Sequence, residues 1–419
     1  MVPLGFCEAS YSYSKTIISI LFIKRRKDYD VSVDKKIYIG SALRTPIGRF
    51  GGSLKRFTGG KLAALVLAES WSRTDQSRPV DFVFLGQARQ AGNGPNPARQ
   101  AVIFSGMPET VPAQTMNLAC ASGLMSVIGA AEKIYSGKAE NCFAGGVEVM
   151  SMTPYFLTNA RWGQRMGNDE VVDGMWKDGF FCPMSEMVMG KTVEKFLVPE
   201  GKISRKEQDE FALNSQKKAA SAWTYGRFSS ELVSIPEEGK SPGLDKDEHP
   251  RPETKIGDLA RLTPVFDSVN GTITAGNSSG ITDGAAILNV SGQREKWSQA
   301  ELVDYEVVAL DPRRMGLGPV AATQNLLKRN KLEISDINGF ELNEAFAAQV
   351  IACQRTLKIP EDKLNSWGGA IALGHPIGAT GARILTTLLS RLSGNSGALG
   401  IATLCVSGGH GVAVLVRVL

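Results

Sequence analysis

The sequence predicts an α/β protein made of two similar halves, and three observations carry that prediction. Short apolar runs of β type alternate with helix patterns along most of the chain, and such alternation implies a parallel sheet with βαβ crossovers. One grammar of glycine turn, helix, short polar loop and strand occurs twice, from Cys120 to Gly146 and again from Ala379 to Leu404; it is a weak internal repeat of pattern rather than identity. The 419 residues, with 45 glycines and 43% hydrophobic side chains, suit about two to three domains with large buried cores.

Taken in order, the body begins with the strand pattern Lys36 to Gly40. A helix pattern follows at Lys61 to Trp71, then an apolar strand at Asp81 to Leu85. Val111 to Leu118 reads as a buried strand feeding a helix from Ser122 to Tyr135, and Asn141 to Gly146 as a strand ending in glycines. Ser204-Arg205-Lys206-Glu207 has the form of a capping box, in which the serine oxygen and the glutamate carboxylate satisfy free amides at a helix start; the helix is expected to run to about Trp223. Pro236 to Thr254, rich in charge, Pro and Gly, reads as an exposed loop.

The N-terminal stretch stands apart. Thr16 to Ile23 is apolar but far too short to span a bilayer, and the cationic run Lys24-Arg25-Arg26-Lys27 follows it, the reverse of a secretory signal. Weak helical amphipathicity disfavours a membrane-surface anchor. Residues 1–34 read as a poorly ordered extension or as a translation start placed too far upstream. The net charge of +5 is small for this length and no basic stripe interleaves with aromatics, which argues against nucleic-acid binding. Six cysteines without a CxxC pair argue against a disulfide framework or a metal site and for a reducing, cytoplasmic setting. Cys142 and Cys353 read as small buried hydrophobes.

Chemistry concentrates at three glycine-rich turns: Asn117-Leu118-Ala119-Cys120-Ala121-Ser122-Gly123, Gly374-His375-Pro376-Ile377-Gly378 and Cys405-Val406-Ser407-Gly408-Gly409-His410-Gly411. A cysteine at a helix N-terminus meets unpaired N–H groups and a positive dipole end, which favour a thiolate and a developing oxyanion. His375, one of three histidines, can relay a proton, and its flanking glycines would allow close backbone approach to a ligand.

These motifs resemble the thiolase family, nearest to acetyl-CoA acetyltransferases. Arg44-Thr45-Pro46-Ile47-Gly48, Gly86-Gln87-Ala88 through Asn96-Pro97-Ala98-Arg99-Gln100, Ala275-Gly276-Asn277-Ser278-Ser279-Gly280 and Asn343-Glu344-Ala345-Phe346-Ala347 extend the resemblance over roughly residues 35–419. It implies two similar βαβ halves in a layered αβαβα arrangement with an inserted loop domain. Residues 35–150 and 263–295 would form the N-terminal half, 151–262 the loop domain over the CoA site, and 296–419 the C-terminal half. It further implies Cys120 as acyl-accepting nucleophile, His375 and Cys405 as proton carriers, and Asn343 as holder of a water at the enolate oxygen. The backbone N–H groups of Cys120 and Ser407 would form the oxyanion hole. Ser279 and Arg251 would contact CoA, and Met189 and Met315 would line the acyl pocket. Acyl-CoA and CoA are then substrates, no cofactor or metal is implied, and a homodimer or homotetramer without membrane insertion is expected.

Three positions depart from the family pattern. Val188 stands where biosynthetic members carry a histidine, Ser407 replaces a glycine, and His410 replaces Met or Gln. Ser407 would be strained if the backbone there needs positive φ, and His410 is positioned in sequence to alter the acidity of Cys405. The rival activities are a degradative 3-ketoacyl-CoA thiolase of fatty-acid β-oxidation and, from another class, a non-catalytic CoA- or lipid-binding relative. A ketoacyl synthase fits less well, since Cys405 has no place in its catalytic set.

Overall fold

The computed structural model describes residues 35–164, 166–237 and 243–419. The stretch read as a poorly ordered extension lies outside the described residues. The first half runs β1 (Ile37–Arg44), α1 (Gly59–Ser72), β2 (Phe82–Gly86), α2 (Pro97–Phe104), β3 (Ala113–Met116), α3 (Ser122–Tyr135) and β4 (Asn141–Val149). After a long excursion that includes α4 (Arg205–Thr224), the chain returns as β5 (Thr282–Ser291). The second half runs β6 (Ser298–Ala309), α5 (Gly318–Asn330), β7 (Gly339–Leu342), α6 (Ala347–Leu357), α7 (Ile377–Leu392), β8 (Leu399–Val406) and β9 (His410–Val418).

The strands form one ten-stranded sheet in the order β7-β8-β9-β6-β1-β5-β4-β2-β3, with the two-residue strand Gly48–Arg49 paired to β5. The expected parallel sheet is only partly present. β2 is parallel to β3 and β4, and β7 to β8, whereas β8–β9, β9–β6, β6–β1, β1–β5 and β5–β4 are antiparallel. The reason is connection length: β9 follows β8 across Ser407-Gly408-Gly409, and so short a turn can join only antiparallel neighbours. The internal repeat is clear in the pairing. β2, β4, β5 and β1 occupy the same relative places as β7, β8, β9 and β6. The counterpart of β3 shrinks to a single parallel bridge, Phe340 to Leu364.

Alternation along the strands sorts their side chains into three apolar layers. Cys142 and Ala144 of β4 and Val412, Val414 and Val416 of β9 face an inner layer holding α3 and α7. Phe143 and Val147 turn instead towards Leu62 and Val66 of α1 and Ala98 and Val102 of α2. Ala413 and Leu415 turn towards Leu326 of α5 and Val350 of α6. Helix, sheet, helix, sheet, helix is the layer order that results. α3 and α7 cross closely: a Cβ at Gly123 would lie 2.8 Å from Gly378 O and 2.9 Å from Ala382 N.

The capping box at Ser204 forms as expected, the serine hydroxyl accepting from Glu207 N and the Glu207 carboxylate from Ser204 N. The loop reading of Pro236 to Thr254 needs correction in its described part. Leu244 and Asp247 are buried, and Asp247 together with Glu231 holds the fully buried Arg44 (Nη1–Oδ1 2.7 Å, Nε–Oε1 2.5 Å). A buried guanidinium needs such partners, so this loop is tied to the core. No helix among the described residues is long and apolar enough to cross a membrane.

Candidate active site

Parallel strands deliver the reactive residues. Loops at the carboxyl ends of such strands are where α/β sheets gather ligand sites. Arg89 follows β2, Cys120 follows β3, Asn343 follows β7 directly, and Cys405 lies near the end of β8. Cys120 occupies a 3-10 turn, Ala119–Ala121, rather than the first turn of α3 itself. Ala119 takes a left-handed backbone (φ 44°), costly for a residue with a Cβ. Hydrogen bonds hold it there: Ala119 N donates to Asn117 Oδ1 (2.9 Å), and the Ser122 hydroxyl donates to Ala119 O (2.7 Å) while accepting from Leu118 N (2.9 Å).

His375 enters from the loop before α7. Its Nδ1 lies 2.6 Å from Thr380 Oγ1, which in turn donates to Pro376 O (2.9 Å). With the hydroxyl proton given to that carbonyl, Thr380 accepts from Nδ1–H, and Nε2 keeps its lone pair. Asn343 Nδ2 stands 3.4 Å from that Nε2. Burial, reinforced by the charges of Arg383 and Arg89, pushes the imidazole down to about 3, so it is neutral with a free lone pair at Nε2 over the physiological range.

The thiols behave differently from the expectation for a helix N-terminus. Burial raises Cys120 above the ordinary thiol value; Arg89 and hydrogen bonds from the backbone N–H groups of Ser407 and Cys120 itself oppose that rise, and Glu148 adds to it. Cys405 is raised well above its ordinary value, first by burial and then by Cys120 and Cys353; His410 is not among the causes. Both rest as thiols. The other buried thiols, Cys142 and Cys353, are pushed up to about 12 by burial, in keeping with packing roles.

One cavity of about 520 Å³ is lined by Cys120, His375, Cys405 and Ser407 together with Ser279, Arg251, Met189 and Met315. Asn343 does not line it but stands behind His375, almost fully buried. Ser407 does not adopt positive φ; Gly408 and Gly409 do (83° and 85°), so a side chain at 407 is tolerated without strain. The fold itself requires both glycines that flank His375. Gly374 needs φ 103°, and a Cβ at Gly378 would meet Val147 O at 2.6 Å. Val188 lines the cavity as well.

Two cationic or titratable lining residues escaped the sequence reading. His249 faces the cavity with Nδ1 2.9 Å from Ala372 O; its only signal was its rarity. Arg89 sits inside the motif Gly86 to Gln100, and nothing local marked it as buried. Glu148, buried beneath, accepts from the backbone N–H groups of Ala88 (3.1 Å), Arg89 (3.0 Å) and Gly378 (2.9 Å), which ties the β2 loop to the start of α7. Among the described residues no group of three or more His, Cys, Asp or Glu could hold a metal ion.

Comparison with known proteins agrees with this architecture. The family model described as "Thiolase, N-terminal domain" matches residues 37–292 and "Thiolase, C-terminal domain" matches 296–418. A probable acetyl-CoA acyltransferase of Staphylococcus aureus (strain N315) is 44% identical over 391 residues, covering 91% of this chain and 98% of that protein. Its counterpart in strain MRSA252 gives the same identity and coverage. The crystal structure of the Bacillus anthracis acetyl-CoA acetyltransferase superposes with a TM-score of 0.87 at 40% identity, covering 92% of this chain and 99% of that one. With both domains matched in order across almost all of the described chain, this protein belongs to the thiolase family.

Proposed function

We propose that the chain is an acetyl-CoA acyltransferase that works through an acyl-Cys120 intermediate. Its simplest reaction joins two acetyl-CoA into acetoacetyl-CoA and CoA, and thiolysis is the reverse. The observation that carries this reading is the convergence of Cys120, His375, Cys405 and Ser407 on one cavity.

His375, unprotonated at Nε2, takes the proton of Cys120 as the sulfur attacks the thioester carbon. The N–H groups of Cys120 and Ser407 stabilise the tetrahedral oxyanion. When the C–S bond to CoA breaks, the Cys405 thiol gives its proton to the departing CoA sulfur. The Cys405 thiolate then removes a proton from the α-carbon of the second acyl-CoA, whose enolate attacks the acyl-Cys120 carbon. Cys120 leaves as a thiolate and recovers its proton from His375. Protons and electron pairs balance, and no redox or metal chemistry enters. Asn343, beside His375, is assigned to the enolate oxygen's environment. A homodimer or homotetramer in the cytoplasm is the setting this reading assumes.

Val188, in place of the family histidine, favours a second reading: a 3-ketoacyl-CoA thiolase for longer chains. A paired thiolysis assay separates the two. Rapid cleavage of acetoacetyl-CoA with little turnover of 3-ketohexadecanoyl-CoA, abolished by Cys120→Ala, is expected. Preference for the long chain would move the enzyme to fatty-acid degradation, and CoA binding without turnover of either would leave a binding relative.

A further inference from the structure

A buried cation at the reacting end of the cavity has no place in the mechanism above. Arg89 is 5% exposed and lines the same cavity as Cys120 and His375. Its Nε and Nη2 have no hydrogen-bond partner among the described residues. The neighbouring carboxylate, Glu148, spends its oxygens on three backbone amides instead. The seat for the guanidinium is specific: a Cβ at Gly179 would lie 2.2 Å from Nη2 and 2.6 Å from Cζ, and the guanidinium stacks 5.7 Å from the Phe180 ring centroid. Glu148 opposes its charge but leaves these donors unpaired; a buried donor without a partner is expensive, and a planar fork of donors matches a carboxylate.

The CoA phosphates are poor candidates for that anion. The cavity's other cation, Arg251, is with Ser279 one of the lining residues that the family resemblance places along the CoA arm. Arg89 by contrast lines the cavity with Cys120 and His375 and stacks on Phe180, which packs with Cys120 against one apolar cluster. A pantetheine arm separates the thioester from the phosphates, so a cation beside the sulfur meets the acyl chain. The remaining wall there, Phe180, Val188, Met189, Met315 and Ile377, is apolar and suits methylenes.

We propose that Arg89 binds a terminal carboxylate on the acyl chain, so that the preferred substrate is a short 3-oxoacyl-CoA ending in a carboxylate. Cleavage then places the ω-carboxyacyl group on Cys120 and releases acetyl-CoA. The proposal rests on the thiolase reading and deepens it by naming the acyl class.

A matched pair of substrates tests it. 3-Oxoadipyl-CoA and 3-oxohexanoyl-CoA have the same chain length and differ at the last carbon, carboxylate against methyl. Thiolysis by the full-length protein is measured for both, with acetoacetyl-CoA as the control for thiolase activity itself. The wild type is expected to favour 3-oxoadipyl-CoA in kcat/KM by on the order of 10- to 100-fold, the scale of a charge-assisted pair in a closed site. Arg89→Leu should reverse the preference and Arg89→Lys restore part of it. Gly179→Ala, which displaces the guanidinium without removing it, should also erode the preference and serves if Arg89→Leu does not fold. A wild type that prefers the methyl-ended chain overturns the proposal. So does a ratio unchanged by Arg89→Leu, which is what a role confined to stabilising the Cys120 thiolate would give. Cleavage of acetoacetyl-CoA alongside such a result leaves the thiolase reading standing; absence of all three activities removes both.

Discussion

At the scale of single residues, the chemistry depends on where protons rest. A helix N-terminus alone argues for a thiolate at Cys120, yet burial outweighs the amides and Arg89 and holds the thiol form. In the proposed mechanism the neutral His375 is the group that accepts the proton when substrate arrives. The sign is open to measurement. The thiolate ultraviolet absorbance of wild type minus that of Cys120→Ser should have its midpoint above 9.0, the ordinary thiol value. A midpoint near neutrality would contradict the thiol ground state. Cys120, His375, Cys405 and Asn343 were legible in the sequence because each sits in a distinctive glycine-rich or Asn-Glu-Ala motif. Arg89 was not, because burial and the loss of partners arise only when the β2 loop folds over Gly179. Asp247 was hidden for a similar reason: its charged, Pro-rich surroundings read as solvent-exposed, while the core cation that holds it is more than two hundred residues away.

At the scale of elements, helix limits were easier to read than sheet partners. α3 begins and ends at the residues its pattern predicts, and α7 starts two residues early. The strand predicted from Val111 to Leu118 forms only over Ala113–Met116, because the chain must then turn sharply to present Cys120. Antiparallel pairing of β5, β6 and β9 depends on connections that period-2 alternation does not reveal. The crossing of α3 and α7 is what brings Cys120 and His375 together, and it rests on the missing side chain at Gly123. Gly123→Ala would press a methyl onto the α7 backbone. It is expected to cost about 1–3 kcal/mol in denaturant titration and to lower kcat. Gly129→Ala in the same helix meets nothing closer than 3.4 Å and should be neutral, or stabilising by up to about 1 kcal/mol through helix propensity. Equal, negligible effects of the two would contradict this account of the crossing.

At the scale of the whole molecule, duplication explains the placement of the chemistry. Each half sends a turn into a central helix, from β3 in the first half and from the segment after the Leu364 bridge in the second, and the two helices share one apolar layer between the halves of the sheet. In the proposed mechanism the nucleophile Cys120 precedes one helix and its base His375 the other, while Cys405 closes the cavity from β8. That repeat was visible in sequence only as a recurring order of turn, helix and strand. The order sufficed for the layer arrangement but not for the ten-stranded continuity through β1 and β6. The central claim is that Cys120 alone carries the acyl group between the two substrates. Intact-protein mass spectrometry after mixing the enzyme with acetyl-CoA tests it most directly. The account predicts that the wild type gains the mass of one acetyl group, that Cys120→Ala gains none, and that Cys405→Ala can still acquire an acetyl group yet forms no acetoacetyl-CoA. Acetyl transfer that survives in Cys120→Ala, or turnover to acetoacetyl-CoA without any acylated protein, would contradict it.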